Sequence, residues 1–548
     1  MTIPDSASGD APLRGDASPS SSSSGSSHAS VKDERPMVPR RALVVALVLA
    51  TYVYSLETMV TMQYTSYAAS AVGHHDQLGT LASASAVVLA VGKPLSASIA
   101  ASGRGRALCF IAVTYSLGLA LSATARNMPT LFAGQMLYAA ASSGFQIVLQ
   151  VVIADLSSLR RRGVWNGMLA APYLVNLVVA GEVVQRTLPN WRVGYGMFAV
   201  IVPLTFAPFT YLLYKEEKQH GPVAQPPLNL DYKGLGLLTL TLSLFILGSW
   251  GATVFACHLI PILFLHSLRT PNPAIPVRLL HGAILGSALI GALDFASFYL
   301  GWTYLYPFIT VTTEWTPRAV SYFIYTNTLS LTAAGLAAGA ILYATRRVKW
   351  PLFWGLVFRL GGVILMYIAR ASGTTPLLIV SQALPGLGGG LANVASSISA
   401  QAAAPDRIGE VSAMTLLLAE VGNVAGAGAA TRIWKRYLPA ELERHVSGNG
   451  TAGEELRREL FKSFEKIMEY PMSDPVRAGS VAAYRAVMGR LVGCSVIVSL
   501  FPPLVCYLLT DDVHLADDVQ VDVEVEADGH VEAAAHERTP LLHSEHQD

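Results

Sequence analysis

The chain has 548 residues, 52% hydrophobic and 14% charged, with a mean hydropathy of +0.43. A soluble domain carries about a quarter charged residues, so the composition argues against a soluble enzyme. A formal net charge of +1 offers no electrostatic handle on nucleic acid.

Repeated apolar runs of roughly 20 residues specify an all-α polytopic membrane protein lodged in a lipid bilayer. Residues 1–38 are polar, with SPSSSSSGSS at 18–27, and read as a disordered cytosolic tail. The first six-helix half occupies 39–213, with spans near 42–64, 79–100, 107–125, 130–154, 164–181 and 194–213. A polar connector covers 214–233. Basic residues in the N-terminal flank, the loop after span 2, the loop after span 4 and the connector all fall on one side, which the positive-inside rule makes cytosolic. The second group of spans covers 234–431. Its first run, Gly234 to His266, is too long for one ordinary span and too short for two with a loop. One tilted helix and a cramped hairpin both stay open, and parity favours the hairpin because it keeps Arg346, Arg347 and Lys349 cytosolic. Later spans lie near 282–310, 319–344, 351–369, 376–400, 411–431 and 487–509, about fourteen in all. A long loop, 432–486, faces outward by parity and carries the glycosylation acceptor Asn449-Gly450-Thr451. The acidic tail from 510 to 548 reads as cytosolic. It holds Glu537 followed by Leu541-Leu542, at the spacing of a dileucine signal for sorting adaptors, so the plasma membrane and an endosomal or vacuolar membrane both remain open.

Glu57, Asp294, Arg359 and Glu420 lie inside apolar runs. A charge in hydrocarbon costs several kcal/mol unless it faces a cavity or a partner, which makes each a candidate for proton coupling or the electrostatics of the cavity. Arg359 could neutralise Asp294, Glu420 or Glu57, and the sequence does not choose. At about 100° per residue, Tyr54, Glu57, Thr61 and Tyr64 share one face of span 1. Gln135, Ser142, Gln146 and Gln150 share an arc of span 4, and Phe295, Tyr299, Trp302 and Tyr306 share a face beside Asp294. These faces predict a cavity wall. His74-His75-Asp76 reads as a solvated loop, since adjacent histidines chelate poorly. Gly92-Lys93-Pro94 is no phosphate-binding loop. The four cysteines are scattered in apolar runs with no CxxC, so no metal site and no cofactor is expected.

The chain resembles a major facilitator superfamily transporter, and more narrowly the fungal siderophore-iron transporter family. The resemblance rests on YVYSLETMVTMQY (52–64), LGTLASASAVVLAVGKP (78–94), AGQMLYAAASSGFQIVLQVVIADLSSLRRRG (133–163) and WRVGYGMFA (191–199). In the second half it rests on IPVRLL (275–280), DFASFYLGWTYLYPF (294–308), GEVSAMTLLLAEVGN (409–423), YPMSDP (470–475) and AYRAVMGRL (483–491). It implies two six-helix bundles plus two extra helices, alternating access, and import of intact ferric siderophores, commonly hydroxamates, with protons. Iron then travels as part of the substrate complex. The resemblance places Arg104, Arg106, Asp155, Arg160 and Arg162 in gating loops. The chain departs from the family in three places: Ala101 stands where an Asp is expected, Glu57 stands where Asp is usual, and the Gly234–His266 run is short. Other solutes also fit: a drug/proton antiporter, a haem or glutathione carrier. So does a non-transporting nutrient sensor. Gly167 and Pro172 lack the adjacency that fourteen-span drug antiporters tend to carry in span 5.

Overall fold

The computed structural model describes residues 40–510 apart from 157–161, 221–230, 248–249, 272, 274, 405–406 and 448–449. The Ser-rich tail, Arg160, Asn449, Glu537, Leu541 and Leu542 therefore lie outside the described residues, as do the side chains of Asp155 and Arg162.

The first half is built from α1 (Arg40–Ala71), α2 (Leu78–Ser102), α3 (Arg104–Ala123), α4 (Met128–Leu156), α5 (Arg162–Thr187) and α6 (Trp191–His220). Between the halves stand α7 (Tyr232–Leu247) and α8 (Trp250–Arg269). The second half has α9 (Gly282–Trp302), α10 (Leu305–Thr312), α11 (Pro317–Thr345), α12 (Lys349–Ser372), α13 (Thr375–Ala402) and α14 (Ile408–His445). It continues with α15 (Gly450–Lys462), α16 (Phe464–Met468), α17 (Pro475–Ser499) and α18 (Phe501–Leu509).

Proline sets the two interrupted passes. A proline ring clashes with the carbonyl four residues back and supplies no N–H. Pro307 therefore breaks the helix at Thr303–Tyr304, and Pro502 with Pro503 breaks it at Leu500. Starts and stops follow local chemistry too. Asp474 accepts a hydrogen bond from the Val476 amide at 2.7 Å, with Pro475 as the first helical residue of α17. Gly373, at φ +65°, ends α12 in the left-handed region.

With α9–α10 and α17–α18 counted as one pass each, and α15 and α16 lying at one end, the described helices make fourteen passes. Contacts pin which ends lie together. At the end carrying the start of α1, here the basic end, Arg106 pairs with Glu217 at 2.7 Å and Lys349 Nζ donates to the Tyr507 carbonyl at 3.1 Å. At the far end, Arg318 pairs with Glu182 at 2.9 Å and Lys435 with Asp76 at 3.4 Å. The Gly234–His266 run forms the hairpin α7–α8. Its ends meet at the basic end, where Asp231 Oδ1 takes the Gly234 amide at 2.8 Å and His266 Nε2 at 2.8 Å. The run can be short because α7, at 16 residues, rises only about 24 Å, less than the usual span. Beyond the predicted span edge at 431, α14 continues as helix to His445, and the loop from 432 to 486 is largely helical.

The two halves repeat one arrangement. α1 packs on α5 and α6, as α9 packs on α14 and α17. The halves meet along α2 against α14 and α5 against α11, leaving α1, α4, α9 and α10 to face each other across the centre.

Candidate functional site

Between the halves lies a cavity of about 340 Å³. Its walls come from α1, α2 and α4 on one side and α9, α10, α11 and α14 on the other. Of the residues the sequence singled out, Tyr54, Gln135, Gln146, Tyr299, Trp302 and Tyr306 line it. Three others lie elsewhere. Tyr64 is fully buried behind the wall, its ring edge on Tyr195 at 5.4 Å and its hydroxyl bonded to Thr187. Gln150 is exposed one turn nearer the basic end, because the arc that includes Gln146 runs out of the cavity. Phe295 packs against Tyr299 at 6.2 Å without joining the lining.

Hydroxyls and amides fix the wall. Gln146 Nε2 donates to the Tyr54 hydroxyl at 2.8 Å, and that hydroxyl meets Ser142 Oγ at 2.9 Å. Gln135 Nε2 donates to Ser122 Oγ at 3.1 Å. Thr58, Thr61, Thr65 and Ser85 add hydroxyl groups. On the opposite wall Asn423 gives its amide N–H to Glu420 at 3.1 Å and leaves Oδ1 buried without a partner. An unpaired buried acceptor is costly, so a lone one on a cavity wall marks a place for a donor.

The four intramembrane charges resolve into three settings. Arg359 pairs with Asp294, donates from Nη1 to the Pro385 carbonyl at 3.3 Å and lies over the Phe298 ring at 5.2 Å. Phe298 stacks on the cavity residue Trp302 at 4.8 Å, so the pair braces the aromatic wall from behind. Gly389 makes room for the guanidinium, since a Cβ there would collide with Arg359 Nη1. Glu420 pairs across the halves with Lys93, at 3.1 Å. Glu57 is fully buried and has phenols for partners: Tyr115 donates to Oε2 at 2.5 Å and Tyr138 approaches it at 3.4 Å. Its Oε1 has no partner. Tyr138 also lines the cavity, so its ring stands between Glu57 and that space.

Sequence reasoning passed over Lys93, Tyr115, Tyr138 and Asn423. The helical spacing that selects Gln135 and Ser142 also admits Tyr138, and Asn423 lies one turn from Glu420. Lys93 carried a signal as well, a lone cation in an apolar run, obscured by its neighbours Gly92 and Pro94. Exchanging the charges tests this cross-half pair. Lys93→Glu and Glu420→Lys alone are expected to reduce function. Together they are expected to recover it, with a coupling energy of about 0.5–3 kcal/mol in a double-mutant cycle. Additive losses would remove the pair from the mechanism.

The far end is closed. Tyr67 packs edge-on against Tyr306 at 6.0 Å and Phe464 at 5.1 Å, and Ser70 Oγ meets Ser463 Oγ at 2.8 Å. Tyr325 on α11 receives a hydrogen bond from Gln63 at 2.6 Å. His75 is not in a solvated loop. It is fully buried among Tyr304, Trp434 and Phe464, and neither ring nitrogen has a partner. Of the residues expected in gating loops, Arg104 opens α3, and Arg106 with the Gly105 amide (3.3 Å) holds Glu217 from α6.

The family model described as Major Facilitator Superfamily matches residues 43–427. The chain is similar to the siderophore iron transporter mirC of Emericella nidulans, at 28% identity over 84% of this chain and 83% of that one. It is similar to the MFS siderochrome iron transporter C of Aspergillus fumigatus, at 28% identity over 82% of this chain and 81% of that one. Among solved structures it resembles a bacterial homologue of the human lysosomal transporter Spinster. The TM-score is 0.60 and the identity 14%, covering 86% of this chain and 97% of that one, a likeness of fold.

Proposed function

The chain belongs to the Major Facilitator Superfamily, and on that premise we propose that it imports an intact ferric siderophore, of the hydroxamate type, in symport with protons. The observation that carries the reading is the cavity. Its described wall presents phenol, indole, amide and hydroxyl groups at the meeting of the two halves. A hexadentate siderophore already fills the six positions of ferric iron. Its carrier therefore needs a surface for the organic shell, with donors for carbonyl oxygens and flat aromatic faces, rather than metal ligands. That these two relatives are named siderophore and siderochrome iron transporters supports the same substrate class. Alternating access would open the cavity by parting the far-end contacts and closing the basic end. In this reading the basic end is cytosolic, the plasma membrane is the site of uptake, and Glu57 takes part in proton movement.

The test is uptake of radiolabelled iron, supplied as several ferric hydroxamates and as haem, in cells lacking their own siderophore carriers, with surface expression checked. Saturable uptake of a ferric hydroxamate that an uncoupler abolishes is the expected result. Uptake of haem alone would transfer the assignment to a haem carrier. A surface-exposed protein moving none of them would indicate another solute or a sensor.

A further inference from the structure

Resting on that reading, the geometry points to a narrower rule. We propose that the cavity selects its ferric siderophore by electrical neutrality, accepting uncharged complexes and rejecting those that carry a net or pendant charge.

Every residue of the described lining is uncharged at neutral pH: tyrosine, tryptophan, threonine, serine, glutamine, asparagine and aliphatic side chains. The charges nearby are already spent. Arg359 faces Asp294, and Lys93 faces Glu420. The carboxyl of Glu57, held behind Tyr138 by hydrogen bonds from phenols, can add negative charge or none. The field at the cavity is thus never set to receive an anion. An anion occluded there would lose its water without gaining a counter-ion, and a cation would find only the Glu57 carboxyl, kept out of contact behind Tyr138; either loss is expensive.

Neutral cargo meets a different surface. Three singly charged hydroxamates cancel the charge of ferric iron, whereas three doubly charged catecholates leave the complex strongly anionic. The neutral complex still offers carbonyl oxygens outward, which the Ser85 hydroxyl and the second amide N–H of Gln146 can meet. Its amide N–H groups meet the unpartnered Oδ1 of Asn423. Trp302 and Tyr299 cover its apolar edges. Neutrality also fixes the electrical signature of transport, because each cycle then moves only the charge of the coupled protons.

The rule is tested with matched cargoes in the uptake assay above. One ferric trihydroxamate is prepared with a pendant carboxylate and as its methyl ester, another with a pendant amine and as its acetamide. The ester and the acetamide are expected to enter, and the acid and the amine at rates lower by about tenfold or more. Equal uptake within each pair overturns the rule while leaving siderophore import standing. Failure of all four at a protein shown to be on the surface overturns both. Ser85→Lys supplies the converse. A cation on the wall is expected to admit the acid form relative to its ester, and Ser85→Asn is expected to leave the preference as it was. An unaltered preference in Ser85→Lys, with binding of the gallium complexes retained by tryptophan fluorescence, also counts against the rule.

Discussion

Glu57→Gln is expected to abolish net, uncoupler-sensitive uptake, by about a hundredfold, with the protein still folded and at the membrane. The amide keeps the size of the side chain and retains a carbonyl oxygen for the Tyr115 hydroxyl, now 2.5 Å from Oε2. It removes the one property that proton coupling requires, the ability to be charged in one state and neutral in the other. Glu57 suits that task better than the other intramembrane acids. Asp294 and Glu420 each face a cation. Glu57 has phenols instead, an unpartnered Oε1, and a single ring, Tyr138, between it and the cavity. Exchange of labelled for unlabelled siderophore across proteoliposome membranes needs no net proton movement, so it is expected to survive in the variant. Loss of exchange together with uptake would place Glu57 in substrate binding or in folding. Uptake that keeps its uncoupler sensitivity would remove Glu57 from coupling altogether.

The parts of this arrangement that repeat along one helix were readable before the structure. Tyr54, Gln135, Gln146, Tyr299, Trp302 and Tyr306 recur at helical spacing on polar or aromatic faces, and a face of that kind in a membrane helix turns inward. Tyr64 belongs to the same arithmetic as Tyr54 and still misses the cavity. Ten residues further along α1, the helix turns that face toward α5 and α6, where Thr187 and Tyr195 take the ring. What periodicity cannot supply is the partner. Arg359 had three possible counter-ions, and the choice of Asp294 depends on α9 and α12 both packing against α13. Lys93 and Glu420 are separated by 327 positions and meet because α2 packs along α14. His75 was misread for the same reason. Its neighbours His74 and Asp76 are polar, but Trp434 and Phe464, 359 and 389 positions away, enclose it.

The second large effect concerns stability. Asp294→Asn and Arg359→Gln are each expected to destabilise the folded protein by about 3–5 kcal/mol, because either change leaves the opposite charge buried and unpaired. The two side chains are 16% and 8% exposed, so water does little to relieve the survivor. The surroundings are built for the pair: Pro385 supplies a carbonyl at 3.3 Å, Phe298 a ring at 5.2 Å, and Gly389 the space. The double variant Asp294→Asn/Arg359→Gln carries no orphaned charge and is expected to regain most of the loss, read as thermal unfolding of detergent-purified protein and as surface abundance. Its transport per surface molecule separates the two roles an intramembrane acid can have. If Asp294 serves to hold Arg359 and, through Phe298, the Trp302 wall, the double variant keeps proton-dependent uptake at reduced affinity. If Asp294 itself carries a proton, the double variant is stable and uncoupled. An Asp294→Asn protein as stable as the native one would show that Arg359 finds enough compensation in Pro385 and Phe298 alone. The pair would then contribute position rather than stability to the cavity wall.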